Sequence, residues 1–392
     1  MSKWMKCTLG DIITFQRGYD LTKSKMIFGQ YPVIASNGII GWHNEYTTET
    51  PSITVGRSGN VGNPFLYNGR SWSHNTTLYI KEYKNCDKLF IYYLLKELNL
   101  KNYSSGSAVP TLNRNHIHNL EILVPLLKEQ QKISKILSSL DEKIEINRKI
   151  NENLEEQAKK IFKRWFVDYE FPNEEGQPYK SSGGEMIESE LGLIPKGWEK
   201  INLGDICICE LGGTPSRKKN EYWNGNIPWI NSGSVNLFRI IKANEMISES
   251  GLKKSSTKLL PKKTTVIAIT GSTLGQVSLL EIDSCTNQSV VGVIPNKNLP
   301  YEFIYPYIKA NIDELLSHKT GGAQQHINSQ NVKNLKVIVP NKKSLEQYTD
   351  LISPIYEMIS KNCFEIEYIS SIRDTLLPKL MTGEIDVSKI DI

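Results

Sequence analysis

GSAVPTLNRNHIHNLEILVP, residues 106 to 125, aligns without a gap to GGAQQHINSQNVKNLKVIVP, residues 321 to 340. Gly106, Ala108, Asn113, Asn119, Leu120, Val124 and Pro125 recur as Gly321, Ala323, Asn328, Asn334, Leu335, Val339 and Pro340, a repeat offset of 215 residues. Working outward, Trp4, Lys6, Leu9, Gly10, Asp11 and Ile12 recur as Trp198, Lys200, Leu203, Gly204, Asp205 and Ile206, now 194 residues apart. The ends of a unit are therefore shared and its interior is not. The second interior is longer by about twenty residues, some of them in the basic stretch around Lys253 to Lys263. A repeat of this length sets the architecture before any motif is considered, because each copy must form the same structural unit.

Each copy is followed by a helical pattern. Ile133, Leu137, Leu140, Ile144, Asn147, Asn151, Leu154, Ala158, Ile161 and Trp165 stand alternately four and three apart, the spacing of a coiled-coil seam. The same offset of 215 turns them into Tyr348, Ile352, Ile355, Ile359, Asn362, Ile366, Ile369, Arg373, Leu376 and Leu380. A polar residue in a seam is costly unless paired, so Asn147 is expected to meet Asn362. Leu140, Ile144, Leu154, Ile161, Ile355, Ile359, Ile369 and Leu376 supply the apolar contacts of that interface. The first helix is expected from about Glu129 to Trp165. Pro354 lacks an N–H and crowds the preceding turn, so the second is expected to start near, or kink at, Ser353. Between the copies, FPNEEGQPYKSSGGE, residues 171 to 185, reads as a loop or tether.

With 392 residues and charged residues at 23%, the chain is large enough for two or three compact units and lacks the composition of a disordered protein. Its six cysteines are too scattered for a disulfide framework, and no run of 18 apolar residues occurs, which points to reduced thiols, a cytoplasmic protein and no membrane span. The net charge of +5 is unevenly spread: Lys and Arg outnumber Asp and Glu 12 to 8 over residues 6 to 125 and 17 to 8 over 211 to 343. Residues 166 to 199 carry 2 against 8, and residues 344 to 392 carry 4 against 9. The interiors suit a polyanion and the joining segments do not.

The interiors read as short strands, among them Tyr31 to Ala35, Ser52 to Val55, Thr76 to Ile80, Thr265 to Ile269 and Val290 to Ile294. Short helices are expected at Phe90 to Leu98 and Tyr301 to Ala310. No glycine-rich loop ending in Lys-Ser or Lys-Thr and no G-x-G-x-x-G after a strand occurs, so no nucleotide or methyl-donor site is expected on this chain. Gly59 with Gly62, and Gly271 with Gly275, read as turn glycines of the repeat. His116 and His118 alternate as on a strand, the geometry of half a metal site, but the second copy has Asn331 and Lys333 there. Cys207 and Cys209 read as buried neighbours on one strand face. Arg57, Ser58 and Asn60, the run SWSHNTT at 71 to 77, and their counterparts Ser272, Thr273, Thr286, Asn287 and Gln288 are base-pairing or phosphate-pairing types. Composition alone leaves them equally readable as hydroxyl-rich surface turns.

GGTPSRKKNEYWNGNIPWINSGSVN, residues 212 to 236, resembles the opening of a target recognition domain in the specificity subunit of Type I restriction-modification enzymes. LGLIPKGWEKINLGDI, 191 to 206, is similar to the entry of that domain, and KRWFVDYEFPNEEGQPYKSSGGEM, 163 to 186, to the connector before it. The first copy departs from the pattern: Phe15-Gln16-Arg17-Gly18 stands in place of the Gly-Gly-Thr-Pro turn, and Trp42 lacks the Asn-Ile-Pro-Trp context. The resemblance implies an α/β protein with an internal pseudo-two-fold repeat. Two recognition domains, 1–125 and 191–343, would be joined and spaced by long antiparallel coiled-coil helices at 126–170 and 344–392, with a connector at 171–190.

The function it implies is non-catalytic: each domain reads one half of a bipartite, asymmetric double-stranded DNA target. Two methyltransferase subunits and, in the full complex, endonuclease subunits would supply the chemistry and hold S-adenosylmethionine, ATP and magnesium. Two diverged interiors fit that reading independently, since identical units would read a palindrome. Candidate DNA contacts are Arg17, Trp42, Arg57, Ser58 and Asn60 in the first domain, and Thr214, Ser216, Arg217, Lys218, Lys219, Ser272 and Thr273 in the second. At least two of Arg217, Lys218 and Lys219 are expected on phosphates. Lys128, Lys132, Lys135, Lys143 and Lys149, with Glu357, Glu365 and Glu367, are expected on helix faces open to partner subunits.

Overall fold

A computed structural model describes residues 4–106, 110–190, 192–320 and 325–390. It divides into two compact units, Met1–Glu145 with Glu367–Ile392, and Ile146–Ile366. Helices Leu127–Phe166 and Lys342–Met381, each of 40 residues, contribute to both.

In the first unit, strands Ile13–Arg17, Thr77–Tyr83, Ser52–Gly56 and Pro64–Tyr67 lie in that order in an antiparallel sheet. A smaller sheet sets Tyr31–Ala35 between antiparallel Gly38–His43 and parallel Trp72–Ser73. The shared ends of the copy pair as a ribbon, Met5–Thr8 with Glu121–Val124. Helix Lys88–Glu97 starts where the Asp87 side chain accepts from the Phe90 N–H. It packs Phe90, Ile91 and Leu94 with Ile13, Ile53 and Leu78 of the sheet and with Ile133, Leu137 and Leu380 of the long helices.

The second unit repeats this order. Ile208–Leu211, Val290–Ile294, Thr265–Ala268 and Val277–Leu279 form the larger sheet, and Glu199–Asn202 pairs with Lys336–Val339. Trp223–Ile230 lies between antiparallel Glu245–Ile247 and parallel Ser284–Thr286, with Leu259–Leu260 added beyond. Helix Glu249–Lys253 and strand Leu259–Leu260 occupy the basic stretch where extra residues are expected. Cys207 and Cys209 are both buried, and burial pushes their thiols up to about 12 and about 11.

All twenty seam positions on the two helices are buried or half-buried. The second helix does not start near Ser353: it runs Lys342–Met381, with Pro354 inside it. A mid-helix proline costs about 3 kcal/mol, but Tyr348, Ile352, Tyr356 and Ile359 on either side are fully buried, each contributing about 1.5–3 kcal/mol. Ser353 Oγ also donates to Glu302 Oε1 at 2.6 Å. Packing therefore outweighs propensity.

Asn147 does not meet Asn362. Asn362 Nδ2 donates to Asn151 Oδ1 at 2.9 Å, and Asn147 Nδ2 to Glu365 Oε2 at 2.9 Å. In an antiparallel pair, rising numbers on one helix meet falling numbers on the other. Residues matched by the repeat therefore face each other only at the midpoint of the pair, and away from it each meets the counterpart of a residue about equally far on the other side of that midpoint.

Residues 171 to 185 are a loop, as expected, but one fastened to its own unit: Phe171 is buried, stacks on Trp198 at 4.9 Å and on Tyr179 at 4.5 Å, and accepts from the Tyr179 N–H through its carbonyl. His116 and His118 lie on helix Arg114–His118, not on a strand. Asn113 caps that helix, as Asn328 caps Ser329–Asn334, which explains why this Asn recurs in both copies. His118 Nε2 accepts from the Phe15 N–H at 2.9 Å, and so serves the sheet.

Candidate nucleic-acid interface

Sheet order brings three loops together at one end of each larger sheet. In the first unit, strands Ile13–Arg17 and Ser52–Gly56 leave the sheet on either side of the entry to Thr77–Tyr83, where Arg17 faces Leu78 and Gly56 faces Thr77. Backbone hydrogen bonds fasten the junction: Gly18 N to Thr77 O at 3.0 Å, Tyr19 N to Ser73 O at 2.9 Å and Arg57 N to Thr76 O at 2.8 Å. A Cβ on Gly18 would stand 2.1 Å from the His74 carbonyl oxygen, so this approach requires glycine.

Arg17, Arg57 and Ser58 therefore surround the run Ser73-His74-Asn75-Thr76. Arg57 Nε donates to Asn75 O at 3.0 Å. Burial and then the charge of Arg17 lower its guanidinium pKa, against a smaller opposing pull from Asp20. Two neighbouring cations with one nearby acid, itself accepting from Asn75 Nδ2, leave positive potential at the junction. Asn60 is exposed in the Gly59–Gly62 turn and accepts from the Asn63 side chain. Both turn glycines have positive φ, +83° and +82°.

The second unit builds the same junction with other side chains. Gly212 N donates to Val290 O at 3.0 Å, Gly213 N to Thr286 O at 2.8 Å and Ile269 N to Ser289 O at 2.9 Å. Gly212 stands where Gly18 does: its Cβ would lie 2.2 Å from the Asn287 carbonyl oxygen. Thr214 Oγ1 donates to Gln288 Oε1, and Ser272 and Thr273 lie in the turn after Thr265–Ala268, with Gly271 and Gly275 at φ +74° and +84°. Leu112 N to Arg57 O at 2.9 Å corresponds to Ile327 N to Ile269 O at 3.0 Å, so Ile269 takes the place of Arg57.

The cationic trio after the Gly-Gly-Thr-Pro turn is not uniformly free. Arg217 lies 3.6 Å above the Trp223 ring and pairs with Glu245 at 2.6 Å. Lys219 Nζ donates to Tyr222 OH at 3.0 Å, and the Ser216 carbonyl accepts from Trp223 Nε1 at 3.2 Å. Lys218 is exposed and has no side-chain partner among the described residues. Trp229 Nε1 donates to Gly213 O at 3.1 Å and so braces the turn from beneath.

Trp42 is not the counterpart of Trp229. It is exposed on Gly38–His43, facing Pro32, while Val33 pairs with Trp72 as Trp229 pairs with Cys285. The signal was present in PVIAS, 32 to 36, beside PWINS, 228 to 232, which match at Pro, Ile and Ser. Asn75, Thr76, Asn287 and Gln288 belong to the junctions as fully as Arg17, Arg57 and Thr214 do. On the helices, Lys132 Nζ donates to the carbonyls of Ser388 and Ile390 at 3.0 and 2.7 Å, and Glu365 is held by Asn147. Neither belongs to an open helix face.

The chain is thus a duplicated module carrying one differently furnished polar junction per copy. The chain belongs to the family described as the Type I restriction modification DNA specificity domain, whose model matches residues 1–156 and again 195–363. It is 31% identical over 310 residues to the Type I restriction enzyme MjaIX specificity subunit of Methanocaldococcus jannaschii, covering 77% of this chain and 70% of that one. It is 26% identical over 337 residues to the HindI specificity subunit of Haemophilus influenzae, covering 72% of each. The crystal structure of a Type I restriction-modification S subunit from M. genitalium has the same fold, with a TM-score of 0.63 at 18% identity over 97% of this chain and 96% of that one. No helix among the described residues is long and apolar enough to cross a membrane.

Proposed function

We propose that this chain is the DNA-reading, non-catalytic subunit of a Type I restriction-modification complex, and that each junction reads one half of a bipartite, asymmetric target. The observation that carries this reading is that one backbone frame is built twice and furnished differently each time. A shared frame presents loops to a duplex in the same way, and different side chains read different bases. The long helices set the unspecified gap between half-sites. Their exposed apolar residues, Ile146, Ile150 and Phe364, suit docking by two methyltransferase subunits. S-adenosylmethionine, ATP and magnesium belong to those subunits and to the endonuclease subunits, and the complex works in the cytoplasm.

The test is to map methylated sites in DNA modified by the chain together with its methyltransferase subunits. Two unlike half-sites with a fixed gap are expected, and a palindromic or continuous site would refute the reading. The purified chain alone should bind duplex DNA with strong salt dependence and transfer no methyl group.

A further inference from the structure

Arg239 is the most deeply buried cation of the second unit, with 1% of its side chain exposed. It lies outside the junction, just after the turn Ser232–Asn236. Its Nη2 donates to Glu155 Oε2 on the first long helix at 2.8 Å, and its Nη1 donates to Tyr305 OH and to the Phe238 carbonyl, each at 2.8 Å. Glu155 Oε1 also accepts from Tyr305 OH and Lys309 Nζ, both at 3.1 Å. Burial would raise the Glu155 carboxyl pKa, but Arg239 and Lys309 outweigh it and hold the group below its ordinary value.

On its other side, Arg239 Nε stands 3.8 Å from Glu281 Oε1. Glu281 Oε2 accepts from Lys263 Nζ at 2.6 Å and from Ser360 Oγ, on the second long helix, at 2.8 Å. One guanidinium thus ties three parts of the second globular region, the 237–240 segment, helix Tyr301–Ala310 and Glu281, to both long helices of its own unit.

Among the described residues, the first unit's counterpart is smaller and has no buried globular cation. There Arg373 and Asp141 are both on the long helices, 2.6 Å apart, and Tyr93 OH reaches Asp141 Oδ2 at 2.8 Å. That pair is also more exposed, at 19% and 29%. A buried ion network adds little net stability over apolar packing of the same volume, because desolvation offsets the attraction. It does penalise any arrangement that leaves a charge unpaired. A small rotation of the globular region on the helices would do so at Arg239, Glu155 and Glu281 together.

Resting on the function proposed above, we propose that Arg239 and Glu155 are positioning residues for recognition: they fix the angle of the second recognition domain on the helix pair, and so the distance and phase at which the second half-site is accepted. Neither touches DNA. Their contribution is to the gap, not to the bases.

The experiment pairs the full chain carrying Arg239→Met with Glu155→Leu, so that no charge is stranded between them, with the methyltransferase subunits. Methylation is measured on duplexes whose gap is native or altered by one base pair. Discrimination against the altered gaps should fall about tenfold, while mismatches in either half-site are rejected as before. Arg239→Lys, which keeps the charge but loses the fork, should give a smaller loss in the same direction. Gap discrimination unchanged in both variants overturns the proposal.

Amide exchange on the full chain alone gives a second readout that does not depend on the functional reading. Helix Tyr301–Ala310 should exchange faster in the double variant while strand Val290–Ile294 does not. If the wild-type complex methylates no two-part site, the functional reading fails and this exchange alone decides the network. Unchanged exchange in Tyr301–Ala310 then overturns it.

Discussion

The two junctions share their backbone and differ in their chemistry. Gly18 and Gly212 make the same close approach, and the hydrogen bonds from Tyr19 to Ser73 and from Gly213 to Thr286 are the same bond in two copies. On that common frame the first unit places Arg57 where the second has Ile269, and Arg17 where the second has Leu211. The second answers with neutral donors and acceptors, Thr214, Asn287 and Gln288, and carries its cations on the neighbouring 217–219 segment. Backbone bonding is indifferent to side-chain identity, so a frame can stay fixed while its reading changes.

The largest effect is expected from moving the frame without touching either reading. Seven residues inserted after Asn151 are matched across the pair by seven after Lys361, since Asn151 faces Asn362. The pair lengthens by about 10 Å, or about three base pairs of gap. Native sites should then be methylated poorly, and sites with the longer gap should take over with both half-sites unchanged. A three-residue insertion should abolish both activities, because it throws the apolar seam to another helix face.

Next in size is the loss of one reading. Arg17→Ala with Arg57→Ala should weaken binding by about 1–3 kcal/mol for each base contact removed, with selectivity lost only at the first half-site. Titrations against duplexes mismatched in one half or the other would show it, and equal loss of selectivity in both halves would break the comparison.

A smaller effect concerns stability alone. Asn151→Leu strands the Asn362 amide and should cost about 1–3 kcal/mol in denaturant unfolding. Changing both to Leu should restore most of it while leaving the methylated sequence as it was. Smallest is Lys218→Ala, expected to lower affinity for cognate and mismatched DNA alike and to shallow the log-affinity slope against log salt by about one unit. Arg217→Ala, which removes the stack on Trp223 and the Glu245 pair, should instead lower the melting temperature more than it changes that slope.

Periodicity and the repeat made most of this legible. Tyr31–Ala35, Val290–Ile294 and Tyr301–Ala310 lie where the residue pattern puts them. The failures share a cause: each depended on what a segment packs against. Pro354 is a helix breaker until Tyr348 and Tyr356 are buried around it, and nothing local in the loop at 171 to 185 shows that Phe171 will meet Trp198. Asn147 and Asn362 match in an alignment, but a sequence match carries no direction, and helix direction decides contact. At the interface, the residue types around Arg57 and in SWSHNTT were visible, but their meeting at the entry of Thr77–Tyr83 depends on strand order. Arg239 looked like any other basic residue of its stretch, because nothing local marks a charge that will be buried.

The central claim is that two independent readings stand on one repeated frame. It is tested most directly by replacing residues 212 to 325 with the corresponding segment of a specificity subunit of different known target, and sequencing the methylated sites of the assembled complex. The account predicts that one half-site changes to that of the donor while the other half-site and its orientation are retained. A change in both half-sites would contradict it.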